Sequence, residues 1–148
     1  MKMICKNKKA FHDYFIEEKV ECGLVLKGSE VKSLRMGRGN LQDGFALIRN
    51  GEAWLEGFHI PKIAQHPYFV HAEVRSKKLL MKKEQLRRLD RASGQKGYTL
   101  VPLHCHFNER GFVKVVIALA KGKAQHDKRE VQKKKDADRE IQRALRVK

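Results

Sequence analysis

His104-Cys105-His106 is the densest group of potential metal ligands in the chain. Side chains alternate faces along a strand, so the two imidazoles share one side and the thiol points to the other. Ligands that diverge cannot close a tetrahedral metal site, and the pair reads instead as histidines lining a surface or groove. The stretch from residue 61 to 76 holds only His66 and His71, too few to suggest a metal centre. Nucleophile and phosphate motifs are also missing: there is no GxSxG, no HExxH and no GxxxxGK[ST]. Gly37-Arg38-Gly39 is too short for a dinucleotide fingerprint. Asp43, Glu52 and Glu56 fall on expected strands, with nothing in the sequence to pair them for acid–base work. No metal and no cofactor is implied. A nucleic-acid-modifying enzyme would need convergent acidic or histidine side chains, and the chemistry on offer is binding.

Charge says what is bound. Lys and Arg number 33 against 17 Asp and Glu, a net +16 over 148 residues. Such a chain repels itself when compact and calls for a polyanionic partner. The basic residues gather near segment ends: Lys6, Lys8 and Lys9; Lys32 and Arg35; Arg75, Lys77 and Lys78; Lys121 and Lys123; Lys128 and Arg129. Brought together on one rim, they would form a phosphate-binding surface whose affinity falls steeply with salt. Aromatic residues such as Tyr14, Phe15 and Tyr98 would add stacking on unpaired bases. The apolar run at residues 115–120 is far too short to span a bilayer, and residues 1–6 lack the apolar run of a secretory signal. Cys5, Cys22 and Cys105 are odd in number and scattered. They read as free thiols packed as small hydrophobes, which suits a reducing cytoplasm.

The elements that must position these residues follow from periodicity. Residues 1–120 carry net +10 and nearly all the apolar material; residues 121–148 carry net +6 and little of it. That division predicts one compact domain followed by a basic tail, with Lys6–Lys9 as a second, mobile basic arm. A strand is expected at residues 20–26. A short helix follows from a Ser29 cap and ends at Gly37. Apolar runs at 45–48 and 53–58 flank Arg49-Asn50-Gly51-Glu52, the strongest short hairpin signal in the chain. A second short helix is expected over residues 82–91, capped near Gly94. Strands at 98–107 and 112–120 complete the count, the former placing Val101, Leu103, Cys105 and Phe107 on one face. Five or six strands with two short helices predict a mainly β fold. A closed or nearly closed barrel of the oligonucleotide-binding type suits that size.

The tail has Val131, Ile141 and Leu145 as a narrow apolar stripe among Lys133, Lys134, Lys135, Arg139 and Arg143. A helix from about residue 127 has too little apolar surface to hold itself, so disorder when free and helix on a polyanion are expected. The tail has no aromatic residue and so lacks the wide face of a membrane-surface helix. Nucleic acid is the expected partner, and a membrane is not.

Several collinear segments resemble the SsrA-binding protein (small protein B) family. They are Asn7-Lys8-Lys9-Ala10-Phe11-His12-Asp13-Tyr14-Phe15-Ile16 and the run from Glu21-Cys22-Gly23 through Lys32-Ser33-Leu34-Arg35. Lys78-Leu79-Leu80, Gly97-Tyr98-Thr99-Leu100-Val101-Pro102 and Ala120-Lys121-Gly122-Lys123-Ala124-Gln125-His126-Asp127-Lys128-Arg129 extend the match. The resemblance implies a non-catalytic protein that binds the tRNA-like part of transfer-messenger RNA and escorts it to stalled ribosomes for trans-translation. It also implies contact with the small-subunit decoding centre and messenger channel, where the tail folds. Elongation factor Tu and alanyl-tRNA synthetase would be reached through the shared RNA.

Carried over residue by residue, Glu21, Leu80 and Lys114 match positions tied to RNA binding. Asn7, Lys8 and Lys9 are contributors, and Lys32, Arg35 and Lys78 join them from the basic clusters. Gly122, His126, Asp127, Lys128 and Arg129 match the ribosome-engaging tail motif, beside Lys121, Lys123, Lys133, Lys134 and Lys135. A carboxylate such as Glu21 can accept from 2′-hydroxyls or base amino groups, or orient a neighbouring cation. The family commonly shows Asp-Pro before Arg75 and this chain has Ala72-Glu73, so a differently shaped loop is expected there. The alternative reading is a general barrel that binds ribosomal RNA or single strands as an assembly factor.

Overall fold

In the computed structural model, which describes residues 2–62 and 72–123, the chain runs β1 (Lys2–Lys6), α1 (Lys8–Asp13), β2 (Tyr14–Leu24) and α2 (Gly28–Arg35). The hairpin β3 (Phe45–Arg49) and β4 (Glu52–Glu56) follows, then β5 (Lys77–Leu80), α3 (Lys83–Ser93), β6 (Tyr98–Phe107) and β7 (Val113–Gly122). All pairings are antiparallel, and they close a ring: β6–β3–β4–β5–β2–β7 and back to β6. β1 stands outside the ring on the edge of β6 that β3 contacts only at Leu100. Closure leaves few bare edges, which is how a small β protein avoids pairing with other chains. The mainly β, nearly closed barrel expected from the sequence is present, with seven strands and three helices among the described residues.

Local chemistry explains most boundaries. Asn50 and Gly51 both take positive φ, as the tight turn joining β3 to β4 requires. α2 stops where Gly37 adopts a φ of +76°: its N–H reaches the Leu34 carbonyl and the Arg38 N–H reaches that of Ser33, a Schellman ending. Its start differs from expectation. Lys27 is the N-cap residue, and the Glu30 carboxylate accepts from its backbone N–H at 2.7 Å, while Ser29 is buried inside the first turn. α3 runs to a C-cap at Gly94, as expected.

The barrel interior is filled by Val20, Cys22, Leu55, Leu79, Leu100, Cys105, Phe107, Val115 and Ile117, with Leu34 from α2 and Leu89 from α3. A second, outer cluster joins Ala10 of α1 to Val101, Leu103, Ala118 and Ala120. This overturns the expected alternation along β6. Register shifts between Pro102 and His104, leaving Leu103 without a partner on β7. The bulge turns Val101 and Leu103 outward, beneath α1, while Cys105 and Phe107 stay inside. Pro102 accounts for the bulge, since a residue without an N–H cannot continue a central ladder.

The N-terminal arm is also unlike its expectation. Lys6 ends a strand and Lys8 begins a helix, and Asn7 between them is only 3% exposed. Its Nδ2 donates to the carbonyls of Leu41 and Pro102 at 3.1 and 3.0 Å, and its Oδ1 accepts from the Ala10 N–H at 3.2 Å. The bulged Leu103 carbonyl takes the Asn7 backbone N–H at 2.7 Å. Asn7→Ala strands two buried carbonyls and removes the cap, so unfolding in urea is expected to show a loss of about 2–3 kcal/mol. A loss under about 0.5 kcal/mol, the surface norm, would mean that α1 is not pinned by this side chain.

Candidate nucleic-acid interface

Three residues that lie far apart in the sequence meet on the outside of the barrel. Gly23 of β2 has Leu80 of β5 as its partner on one side and Lys114 of β7 on the other. The row continues, because Lys114 is paired with His106 of β6 and His106 with Met3 of β1. Cross-strand partners share a face, so one line of side chains crosses five strands. A second row beside it runs Glu21, Val116, His104 and Lys6.

Gly23 is the floor of this face. A Cβ there would sit 3.2 Å from the Leu80 Cβ and 3.6 Å from the Lys114 Nζ. The missing side chain lets an ammonium group and an apolar side chain approach each other over bare backbone. Leu80 is 51% exposed and offers an apolar contact on this face. Glu21 supplies the acceptor: its Oε1 lies 2.7 Å from the His106 Nε2. His106 is 3% exposed, and its Nδ1 faces the Nδ1 of His104 at 3.3 Å. The His104 pKa is lowered, first by burial, then by the charges of His106, Lys6 and Lys19, with Glu21 opposing them. A positive charge, an apolar contact, a carboxylate acceptor and imidazole rings within two rows suit an RNA surface. They can meet phosphate, sugar and base.

The remaining expected residues divide. Glu21, Leu80 and Lys114 share the face. Lys8 and Lys9 are exposed on α1, next to it, since Val116 packs both in the second row and against the cluster under α1. Lys78 points outward two residues before Leu80, with its Nζ 3.3 Å from Glu52. Lys32 and Arg35 are exposed on α2, outside both rows. Lys77, grouped with the basic segment ends in sequence, is 0% exposed and so does not face a ligand. Asn7 is likewise committed inside and can serve the face only by holding α1. His104, His106, Lys19 and Gly23 were not singled out from sequence as RNA-binding residues, whereas Lys6 was among the expected basic segment ends. Alternation did place the two histidines together, but nothing local pointed to Glu21.

Lys121 and Gly122, expected to begin the tail, are the last residues of β7, opposite Phe15 and Tyr14. The Lys123 N–H donates to the Asp13 carbonyl at 2.9 Å, and its Nζ lies 5.1 Å above the Phe15 ring. The Lys121 Nζ stands 5.9 Å over the Tyr98 ring. Residues 126–129 and 133–135, with the expected tail helix, lie outside the described residues, as does 63–71 of the long loop. In its described part, Glu73 occupies the departure from the family pattern. Its carbonyl accepts from the Ile60 N–H at 2.9 Å and its carboxylate lies 3.1 Å from His59.

Cys22 is buried, and burial pushes its thiol pKa up to about 12. Cys5 and Cys105 stand opposite each other across β1 and β6, and both are free thiols. The described residues contain no cluster of three metal-ligating side chains. None of their helices is long and apolar enough to cross a membrane.

Comparison with known proteins agrees at every level. The family model described as "SmpB protein" matches residues 4–147. A protein named SsrA-binding protein from Bacillus cereus (strain AH820) is 51% identical over 145 residues, covering 98% of this chain and 93% of that one. A relative of the same name from Bacillus anthracis shows the same identity and coverage. A solved structure described as "tmRNA-SmpB: a journey to the center of the bacterial ribosome" superposes with a TM-score of 0.71 at 44% identity. It covers 85% of this chain and 92% of the matched one. With sequence and fold matched over nearly the whole length, the chain belongs to the SmpB protein family.

Proposed function

We propose that this protein binds transfer-messenger RNA through the face around Gly23 and brings it to stalled ribosomes for trans-translation, without catalysis of its own. The observation that carries the reading is the convergence of Glu21, Leu80 and Lys114, from three strands, on one glycine floor. The names of its relatives and of its structural neighbour support the same RNA and the same ribosomal setting. A protein that works on ribosomes acts in the cytoplasm. β7, the last described strand, runs to Gly122, and the basic segment that follows it is the part that engages the ribosome.

RNA binding supplies the test. The transcribed tRNA-like domain is expected to bind far more tightly than an unstructured strand of equal charge at the same salt. Lys114→Gln should weaken the first and make its log affinity against log salt shallower by about 0.7–0.9. Equal affinity for the two RNAs would sink the specific reading and favour a general single-strand or ribosomal-RNA barrel.

A further inference from the structure

The carboxylate on the candidate face is held by a chain of two imidazoles. A carboxylate oxygen only accepts, so the His106 Nε2 bound to Glu21 Oε1 must carry the hydrogen. The Nδ1 atoms of His106 and His104 lie 3.3 Å apart, so one of them carries the hydrogen between them; with the His106 Nε2–H given to Glu21, the arrangement that needs no charged ring has His104 as the donor. The rings are inclined at 38° with centroids 5.2 Å apart, so the contact is edge to edge between nitrogens rather than a stack. His106 is buried while the Glu21 side chain is 55% exposed. The anchor is thus rigid and the anchored group faces out. Among the described residues no hydrogen bond reaches Glu21 Oε2.

We propose that His106 is the positioning residue of this face. It commits one oxygen of Glu21 and presents the other to a hydrogen-bond donor of the RNA, a 2′-hydroxyl or a base amino group. The inference rests on the reading of this face as the RNA site. Left to itself, an exposed glutamate would sample several rotamers and repel phosphate; tethered beside Lys114, it becomes a fixed acceptor next to a cation. Such a device favours groups that donate over groups that only carry charge, and so favours a defined RNA contact over any polyanion. His104 sets the tautomer, as outer partners of working histidines commonly do.

The full chain and the transcribed tRNA-like domain suffice to test it. Glu21→Gln and His106→Leu are each expected to weaken binding about tenfold, the worth of one charge-assisted hydrogen bond. The double variant should bind no worse than Glu21→Gln, because both changes remove one interaction. His106→Gln, whose amide can donate to the same oxygen, should stay within about threefold of the unchanged protein. Nitrogen-15 shifts of the unaltered protein should show His106 protonated at Nε2 and not at Nδ1 near neutral pH. That measurement does not depend on any variant folding.

Additive losses, an Nδ1–H tautomer, or full binding by His106→Leu while Glu21→Gln is weak would overturn the positioning role and leave the site standing. Full binding by Glu21→Gln would overturn both. Repeating the Glu21→Gln comparison on RNA carrying 2′-O-methyl groups separates the donors. A vanished Glu21 effect supports the proposal with a 2′-hydroxyl donor, and a persisting one supports it with a base amino donor.

Discussion

Glu30→Gln is expected to destabilise the barrel by about 3–5 kcal/mol, the cost of leaving buried cations without their counter-charge. Glu30 is 0% exposed, and its Oε1 accepts from the Arg75 guanidinium at 2.5 Å. Lys77, also 0% exposed, donates from Nζ to the carbonyls of Phe58 and Arg75 at 2.8 and 2.7 Å and lies 4.0 Å from Glu30 Oε2. Its ammonium sits 5.4 Å over the Phe58 ring. One carboxylate therefore balances two cations, and it ties α2 to the start of β5 across 45 residues of sequence. The amide of Gln can keep one hydrogen bond but none of the charge. Thermal unfolding should fall by roughly 10–20 °C for a domain of this size. A shift of under about 2 °C, within the usual range of a surface change, would show that the three side chains do not act as a unit.

The same cluster predicts a pH signature. Desolvation by burial lowers the Lys77 pKa from 10.5 to about 8, against the opposing pull of Glu30. The unfolded chain then holds the proton over the window from 8 to 10.5 where the folded chain has released it. Stability supplied by this group therefore rises with pH across that window. Desolvation raises the Glu30 pKa, but its hydrogen bonds with Arg75 and Lys27 outweigh this, and the net shift is below 4.5. Its contribution is present above 4.5 and fades as pH falls through the folded value. In Glu30→Gln the Lys77 pKa drops further, since a raising partner is gone. The deficit against the unchanged protein should be full near about pH 5–6 and narrow in both directions. A deficit that does not change with pH would point to lost packing instead.

Legibility in the sequence followed the range of the interaction. The Asn50-Gly51 turn, the Gly37 stop and the span of β6 rest on neighbours within a few residues, and each was readable. Val101 and Leu103 were placed on the wrong face because one unpaired residue at the bulge reverses everything on its far side. Asn7 looked like part of a loose basic arm. Its three side-chain partners include carbonyls 34 and 95 residues away, which no local pattern reveals. Lys77 reads as one more surface lysine until the fold surrounds it. The candidate site shows the same division. Glu21, Leu80 and Lys114 were found by family resemblance, while their meeting at Gly23 is a matter of register among three strands. The histidine pair was legible as a pair, and its contact with Glu21, 85 residues off, was not.

Removing residues 124–148 is expected to separate the two activities of the protein. Binding to the tRNA-like domain should stay within about threefold, while tagging of peptides on stalled ribosomes should fall by about 100-fold or more, the scale of several lost phosphate contacts. The argument starts from β7. Lys114 marks one end of it and Gly122 the other, and eight steps of a strand place them roughly 26 Å apart. The candidate RNA face and the start of the tail thus lie toward opposite ends of one strand.

A cut after Lys123 keeps its hydrogen bond to Asp13 and the cations over Phe15 and Tyr98, so the end of β7 stays paired. The shortened chain still carries 24 basic against 12 acidic residues, and its attraction for RNA persists. What leaves with residues 124–148 is nine basic side chains, among them Lys133, Lys134 and Lys135, beside His126. Full-length protein with Lys133, Lys134 and Lys135 changed to Ala should fall between the two, since it loses charge but keeps the chain. Tagging by the shortened protein at the normal rate would remove the tail from the mechanism. A steep loss of RNA binding on shortening would show instead that the two surfaces work as one.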